Sequence, residues 1–213
     1  MGRLLDVKSL LKCNSLICDD ADAKGADPNE AEADGTAPLH VAAQNGHVEV
    51  IEVLIDGGAD PNQAANGGFT PLWIASLKGH VDVVRKLMEK GADAHKATDD
   101  GTTALAIGAM EGHKDIVVAL LESGASPDAA NNHNKETPLM IAAYRGHTDV
   151  VQALIDHKAD TSATDSLGKT ALEKAAEAGQ QEITKILGGC VADAELHPGE
   201  ELAEPPAMLH RVD

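Results

Sequence analysis

The dipeptide Gly-His returns down the chain at an almost fixed interval: Gly46-His47, Gly79-His80, Gly112-His113 and Gly146-His147 are spaced by 33, 33 and 34 residues. A bare Gly179 continues the series another 33 on. A period of this size marks a stacked array, in which each unit buries its apolar face only against its neighbours. Two further signals keep the same phase. One is Gly58-Ala59-Asp60, Gly91-Ala92-Asp93 and Gly124-Ala125-Ser126, extended backwards by Gly25-Ala26-Asp27-Pro28-Asn29. The other is Pro38-Leu39, Thr70-Pro71-Leu72, Ala104-Leu105, Thr137-Pro138-Leu139 and Ala171-Leu172.

Each unit reads as turn, helix, tight turn, helix, loop. Proline suits a helix's first position, where the N–H has no intrahelical partner, and a preceding Thr caps that end. The short first helix carries small residues, Ala42-Ala43, Ala75-Ser76, Gly108-Ala109, Ala142-Ala143 and Ala175-Ala176, which let neighbouring helices approach closely. The second helix follows Gly-His with apolar residues at i, i+1, i+4 and i+5, as in Val50, Ile51, Leu54 and Ile55. Val83, Val84, Leu87 and Met88 repeat the pattern, as do Ile116, Val117, Leu120 and Leu121, and Val150, Val151, Leu154 and Ile155. The Gly of Gly-Ala-Asp is expected to end it in the left-handed conformation, with Lys158 taking this slot in the fourth unit.

These residues resemble the ankyrin repeat, whose T-P-L-H-x-A core appears here as Ala37-Pro38-Leu39-His40-Val41-Ala42 and Thr70-Pro71-Leu72-Trp73-Ile74-Ala75. The resemblance implies an all-α solenoid of stacked helix-turn-helix units with projecting β-turn loops. Four full units are read at 34–66, 67–99, 100–133 and 134–166, with a C-terminal cap at 167–189. Residues 1–33 read as a degenerate opening cap, because Asp19, Asp20 and Asp22 fall where a second helix should be apolar. The third unit departs most within its helices: Ala104 replaces Pro and Gly108 sits mid-helix, so it is expected to be the softest of the four. After Leu187 the pattern stops, and residues 190–213, with six acids against one base and Pro198, Pro205 and Pro206, read as an acidic disordered tail. Met208-Leu209-His210-Arg211 is its only apolar-basic cluster.

Charge and composition narrow the function. Seventeen basic against 35 acidic residues give −18, which argues against nucleic acid and anionic membranes as partners. No signal peptide or stretch of roughly 20 apolar residues is evident, so no membrane span is expected. Cys13, Cys18 and Cys190 are too few and too odd in number for a disulfide scaffold, and a cytoplasmic location is expected, with the nucleus as alternative. His47, His80, His113 and His147 lie in different units, about 8–10 Å apart by helix packing, too far to share one metal. They are read as bonding nearby backbone at the start of each second helix. No catalytic, metal or cofactor motif is found, and the chain is read as a non-enzyme, monomeric by itself.

A binding surface remains. The slot after Pro-Leu reads His40, Trp73, Ala106, Met140 and Glu173; four residues on, it reads Gln44, Leu77, Met110, Tyr144 and Glu177. Spacing of i, i+4 places both slots on one helical face. The ankyrin resemblance implies that this face and the turn tips border a concave groove. Trp73, Leu77, Met110, Met140 and Tyr144 then form an apolar stripe, with Phe69 at a turn tip and Lys78, Glu111 and Arg145 as rim charges. The competing reading makes the first slot packing between units. The stripe implies a protein partner, since aromatics and Met are enriched at interface centres. The alternative function is a regulatory subunit or modified substrate: Asn62, closing the Gly58–Asn62 loop, resembles a target of asparaginyl hydroxylases.

Overall fold

The computed structural model describes residues 27–195. Most of the expected opening cap, Cys13, Cys18 and the Met208–Arg211 cluster lie outside the described residues. Ten helices are present among those described: α1 (Pro38–Asn45), α2 (Val48–Asp56), α3 (Pro71–Lys78), α4 (Val81–Glu89), α5 (Ala104–Glu111), α6 (Lys114–Glu122), α7 (Pro138–Arg145), α8 (Thr148–Asp156), α9 (Ala171–Glu177) and α10 (Gln181–Glu195). They pair as α1/α2 through α9/α10 into five stacked units. First helices pack on first helices and second on second, giving the all-α solenoid that the period predicts. The loops carry one isolated antiparallel bridge, Ala97 to Thr103, and no strands among the described residues.

Four of the five first helices start on hydroxyl caps, α1 starting on Ala37 instead. Thr70, Thr103, Thr137 and Thr170 accept from the N–H groups of Trp73, Ala106, Met140 and Glu173 at 3.2, 3.2, 3.4 and 3.3 Å. They stop on left-handed glycines: Gly46, Gly79, Gly112 and Gly146 lie at φ 76°, 79°, 77° and 86°. A Cβ on Gly46, Gly79 or Gly112 would stand 2.9, 2.9 and 2.6 Å from the imidazole of His80, His113 and His147 respectively. The histidines of the second, third and fourth Gly-His pairs therefore serve two units, each covering the glycine of the unit before. The bonds these histidines make run to that preceding unit: the Nε2 atoms of His80 and His147 lie 3.1 and 3.0 Å from the carbonyls of Gln44 and Met110.

The core follows the small-residue ladder and the second helices. Ala42, Ala75, Ala142 and Ala175 are fully buried, with Ile51, Val84, Leu87, Val117, Leu120, Val151 and Leu154. Val50, Ile55, Met88 and Ile155 are half-buried at the margin. The left-handed slot after each second helix holds Gly58, Gly91 and Gly124, and Lys158 takes it at φ 67°. Lys135, in the lengthened third loop, is the other non-glycine there, at φ 59°.

The closing unit differs from the rest in chemistry. Where the full units place Val41, Ile74, Ile107 and Ile141, it places Lys174. The Lys174 ammonium meets Glu136 at 2.5 Å and Asp165 at 2.8 Å, with the Asp165 side chain only 2% exposed. The hydrogen bond from Lys174, helped by the backbone N–H groups of Lys169 and Leu167, pulls the Asp165 carboxyl down to about 2. Helix α10 then runs unbroken through Gly188-Gly189 to Glu195, so the first six residues of the expected disordered tail, 190–195, are helical.

Candidate partner-binding face

The two slots of the first helices turn out to do different work. At the slot after Pro-Leu, His40 is 1% exposed and fastens turns together. Its Nδ1 accepts from the Ala37 N–H at 3.1 Å, which leaves the proton on Nε2 to donate to the Phe69 carbonyl at 3.1 Å. Burial holds its pKa below the usual imidazole value, consistent with this neutral form. Ala106 and Met140 at the same slot are 2% and 1% exposed. Met140 therefore drops out of the accessible stripe: its side chain fills space between units, and no partner reaches it in this conformation. Glu173 is occupied with its own helix end, accepting from the Thr170 N–H at 2.7 Å, which lowers its pKa.

Trp73 is the half-buried member of that slot. Its ring meets Phe69 edge-on, with centroids 4.7 Å apart and planes at 60°. Its Nε1–H is buried without a hydrogen-bond partner, unlike the His40 nitrogen one unit earlier.

The slot four residues on is the open one. Leu77 and Met110 are half-buried, and Tyr144 is 55% exposed. Phe69 is exposed on the adjoining turn. Lys78, Glu111 and Arg145 follow Leu77, Met110 and Tyr144 by one residue and are exposed, outside any ion pair among the described residues. Glu177 pairs with Lys169 at 2.6 Å, so the far end of the stripe is already engaged.

The turn tips add groups that the helical slots did not point to. Asp100 accepts from the Thr98 hydroxyl and from the Thr102 N–H at 3.0 Å, and Asp34 accepts from the Thr36 N–H at 2.9 Å. These bonds hold both carboxyls below the usual range, so they stand as fixed negative charges. Leu167 on the closing turn is the most exposed large apolar side chain among the described residues, at 77%. The signal for these residues was the period itself, because 99–100 and 166–167 are in phase with the tip beside Phe69.

Asn62 is half-buried and fully used. Its Nδ2 donates to the Gly91 carbonyl at 3.0 Å and its Oδ1 accepts from the Asp93 N–H at 2.7 Å, tying one loop to the next. Asn29 makes the same pair of bonds to Gly58 and Asp60, at 3.0 and 2.7 Å. Its burial and bonding thus have a structural cause.

Among the described residues no three His, Cys, Asp or Glu side chains are grouped to hold a metal ion. Nor is any described helix long and apolar enough to cross a membrane. A family model described as ankyrin repeats (3 copies) matches residues 6–98 and 105–196. No curated protein sequence matches the chain. Ankyrin repeats are in general protein–protein interaction modules, and the family is typically non-enzymatic.

Proposed function

The chain belongs to the ankyrin-repeat family, and on that premise we propose that it is a non-enzymatic module that grips a protein partner through the face built from its first helices and turn tips. One observation carries this reading: Phe69, Leu77, Met110 and Tyr144, from three successive units, keep apolar surface accessible on one face, beside the unpaired charges of Lys78, Glu111 and Arg145. Apolar anchors ringed by polar groups are the composition of an interface centre and rim. Stacked helices with capped ends also lose little conformational freedom on binding, which favours affinity.

Trp73 belongs to the same face as a half-buried support that holds Phe69 in place through the edge-on contact. The test begins with the partner captured by the full chain from its native source. Leu77→Ala and Tyr144→Ala are each expected to weaken that complex by about tenfold or more, as interface anchors do on truncation. Unchanged affinity in both variants, with helical content preserved, would remove this face from the interface.

A further inference from the structure

The seams between units are not equally bonded. Between the first and second units, beyond the connecting turn whose Asn66 N–H donates back to Asp34 at 2.9 Å, His40 donates to Phe69 at 3.1 Å. The same seam has His80 against Gln44 at 3.1 Å, both Asn62 bonds, and Lys90 paired with Asp56 at 2.7 Å. Between the third and fourth, beyond the connecting turn whose Asn132 N–H donates back to Asp100 at 2.8 Å, His147 lies 3.0 Å from the Met110 carbonyl and the Asp160 N–H donates to Asp128 at 2.8 Å. Between the second and third, the polar contacts among the described residues are confined to the connecting turn, where Thr98 bonds to Gly101 and Thr102 and the Asp99 N–H donates back to Gly67 at 2.9 Å; none joins the helices or the loops beyond that turn.

Three separate sequence features empty this seam. His95 occupies the slot of Asn29, Asn62 and Asp128, and its exposed ring leaves the Ser126 N–H without the acceptor that Asp60, Asp93 and Asp160 enjoy. Trp73 occupies the slot of His40, and its indole N–H is left without a partner. His113 lies on Gly79 as His80 lies on Gly46, yet makes no bond to the Leu77 carbonyl that corresponds to Gln44 and Met110.

Apolar contact remains, since Leu72, Ala75, Val84 and Leu87 on one side and Leu105, Ala109, Val117 and Leu120 on the other share one continuous core. Such contact resists separation but is non-directional, whereas hydrogen bonds fix register. In a linear array, stability is a sum of unit and nearest-neighbour terms, so one poorly bonded seam divides the cooperative unit there.

We propose that the solenoid is jointed at this seam: two stiff blocks, 27–99 and 100–195, pivot about the α3/α5 and α4/α6 contacts. Leu77 and Met110 stand on opposite sides of the joint, so its angle sets their spacing. That consequence rests on the binding face proposed above; the joint itself does not.

Native-state hydrogen exchange on the full chain, at rising urea, tests it. The expected result is two groups of opening free energy, α1 to α4 and α5 to α9, with the Ser126 amide exchanging about tenfold faster than those of Asp60, Asp93 and Asp160. His95→Asn is expected to slow Ser126 by about fivefold, the worth of one net hydrogen bond, and to draw the two groups together. Asn62→His, which imposes the same deficit one seam earlier, is expected to split α1/α2 from α3/α4. A single group spanning α1 to α9 in the unaltered chain, or a division at another seam, overturns the joint whatever the variants do.

Discussion

Replacing Gly108 by Ala tests how the first helices are packed. Four other units place Ala42, Ala75, Ala142 and Ala175 at this slot, all 0% exposed, so the stack already accommodates a methyl there. A Cβ at residue 108 would stand 3.4 Å from Ile116 Cγ2 and 3.6 Å from Val117 Cγ2, which is ordinary contact. Removing a mid-helix glycine contributes about 0.5–1 kcal/mol. Burying the methyl adds about 0.8 kcal/mol. Together they give about 1.5 kcal/mol, and at about 2–4 °C per kcal/mol for a chain of this size, Tm is expected to rise by about 3–6 °C. Thermal and urea unfolding followed by circular dichroism read this directly. Overpacking would cost about 1–3 kcal/mol instead, so a lower Tm for Gly108→Ala would refute the claim that the slot is sterically equivalent across units.

Lys158→Gly should stabilise by about 0.5–1 kcal/mol in urea unfolding, because a side chain in the left-handed region costs about 1–2 kcal/mol, partly offset by glycine's freedom when unfolded; a loss of stability would contradict it. Asp165 has a folded pKa of about 2 against the ordinary 3.8, so its contribution is present above pH 3.8 and lost as pH falls through 2. Melting temperatures taken from pH 5 to 2 should therefore fall more steeply for the unaltered chain than for Asp165→Asn, and parallel curves would count against the Lys174 pairing. His40, held neutral by burial, should titrate below 6.5 when followed by NMR, and its contribution should be full above that pH and fade below it. A midpoint at or above 6.5 would mean that its ring is not buried in the neutral form.

The period made the architecture legible because every helix boundary in it has a local cause: Pro or Thr at the start, Gly-His between helices, a left-handed residue at the end. Tertiary neighbours decided the rest. His40 and Met140 share a helical face with Gln44 and Tyr144, and nothing in that spacing tells that the first pair is buried, His40 against the next turn, while the second stays open. The sequence places the histidines beside backbone at the start of each second helix, yet the bonds of His80 and His147 cross to the preceding unit, a relation that exists only once units are stacked. Likewise Gly108 drew attention to the interior of the third unit, where α5 from Ala104 to Ala109 is entirely buried. The proposed joint rests on a different signal, at the third unit's seam with the second, where His95 and Trp73 replace residues that bond elsewhere. Helix α10 passes Gly188-Gly189 because two glycines weaken a helix without forbidding it.

The central claim is that the face of the first helices and turn tips receives a protein. Photo-crosslinking side chains placed one at a time at Met110, at Tyr144 and at Gln152, on the exposed side of α8, measure this in full-length protein mixed with its captured partner. Adducts from positions 110 and 144, with little or none from 152, are predicted. Adducts formed mainly from 152 would place the partner on the opposite helices and contradict the account.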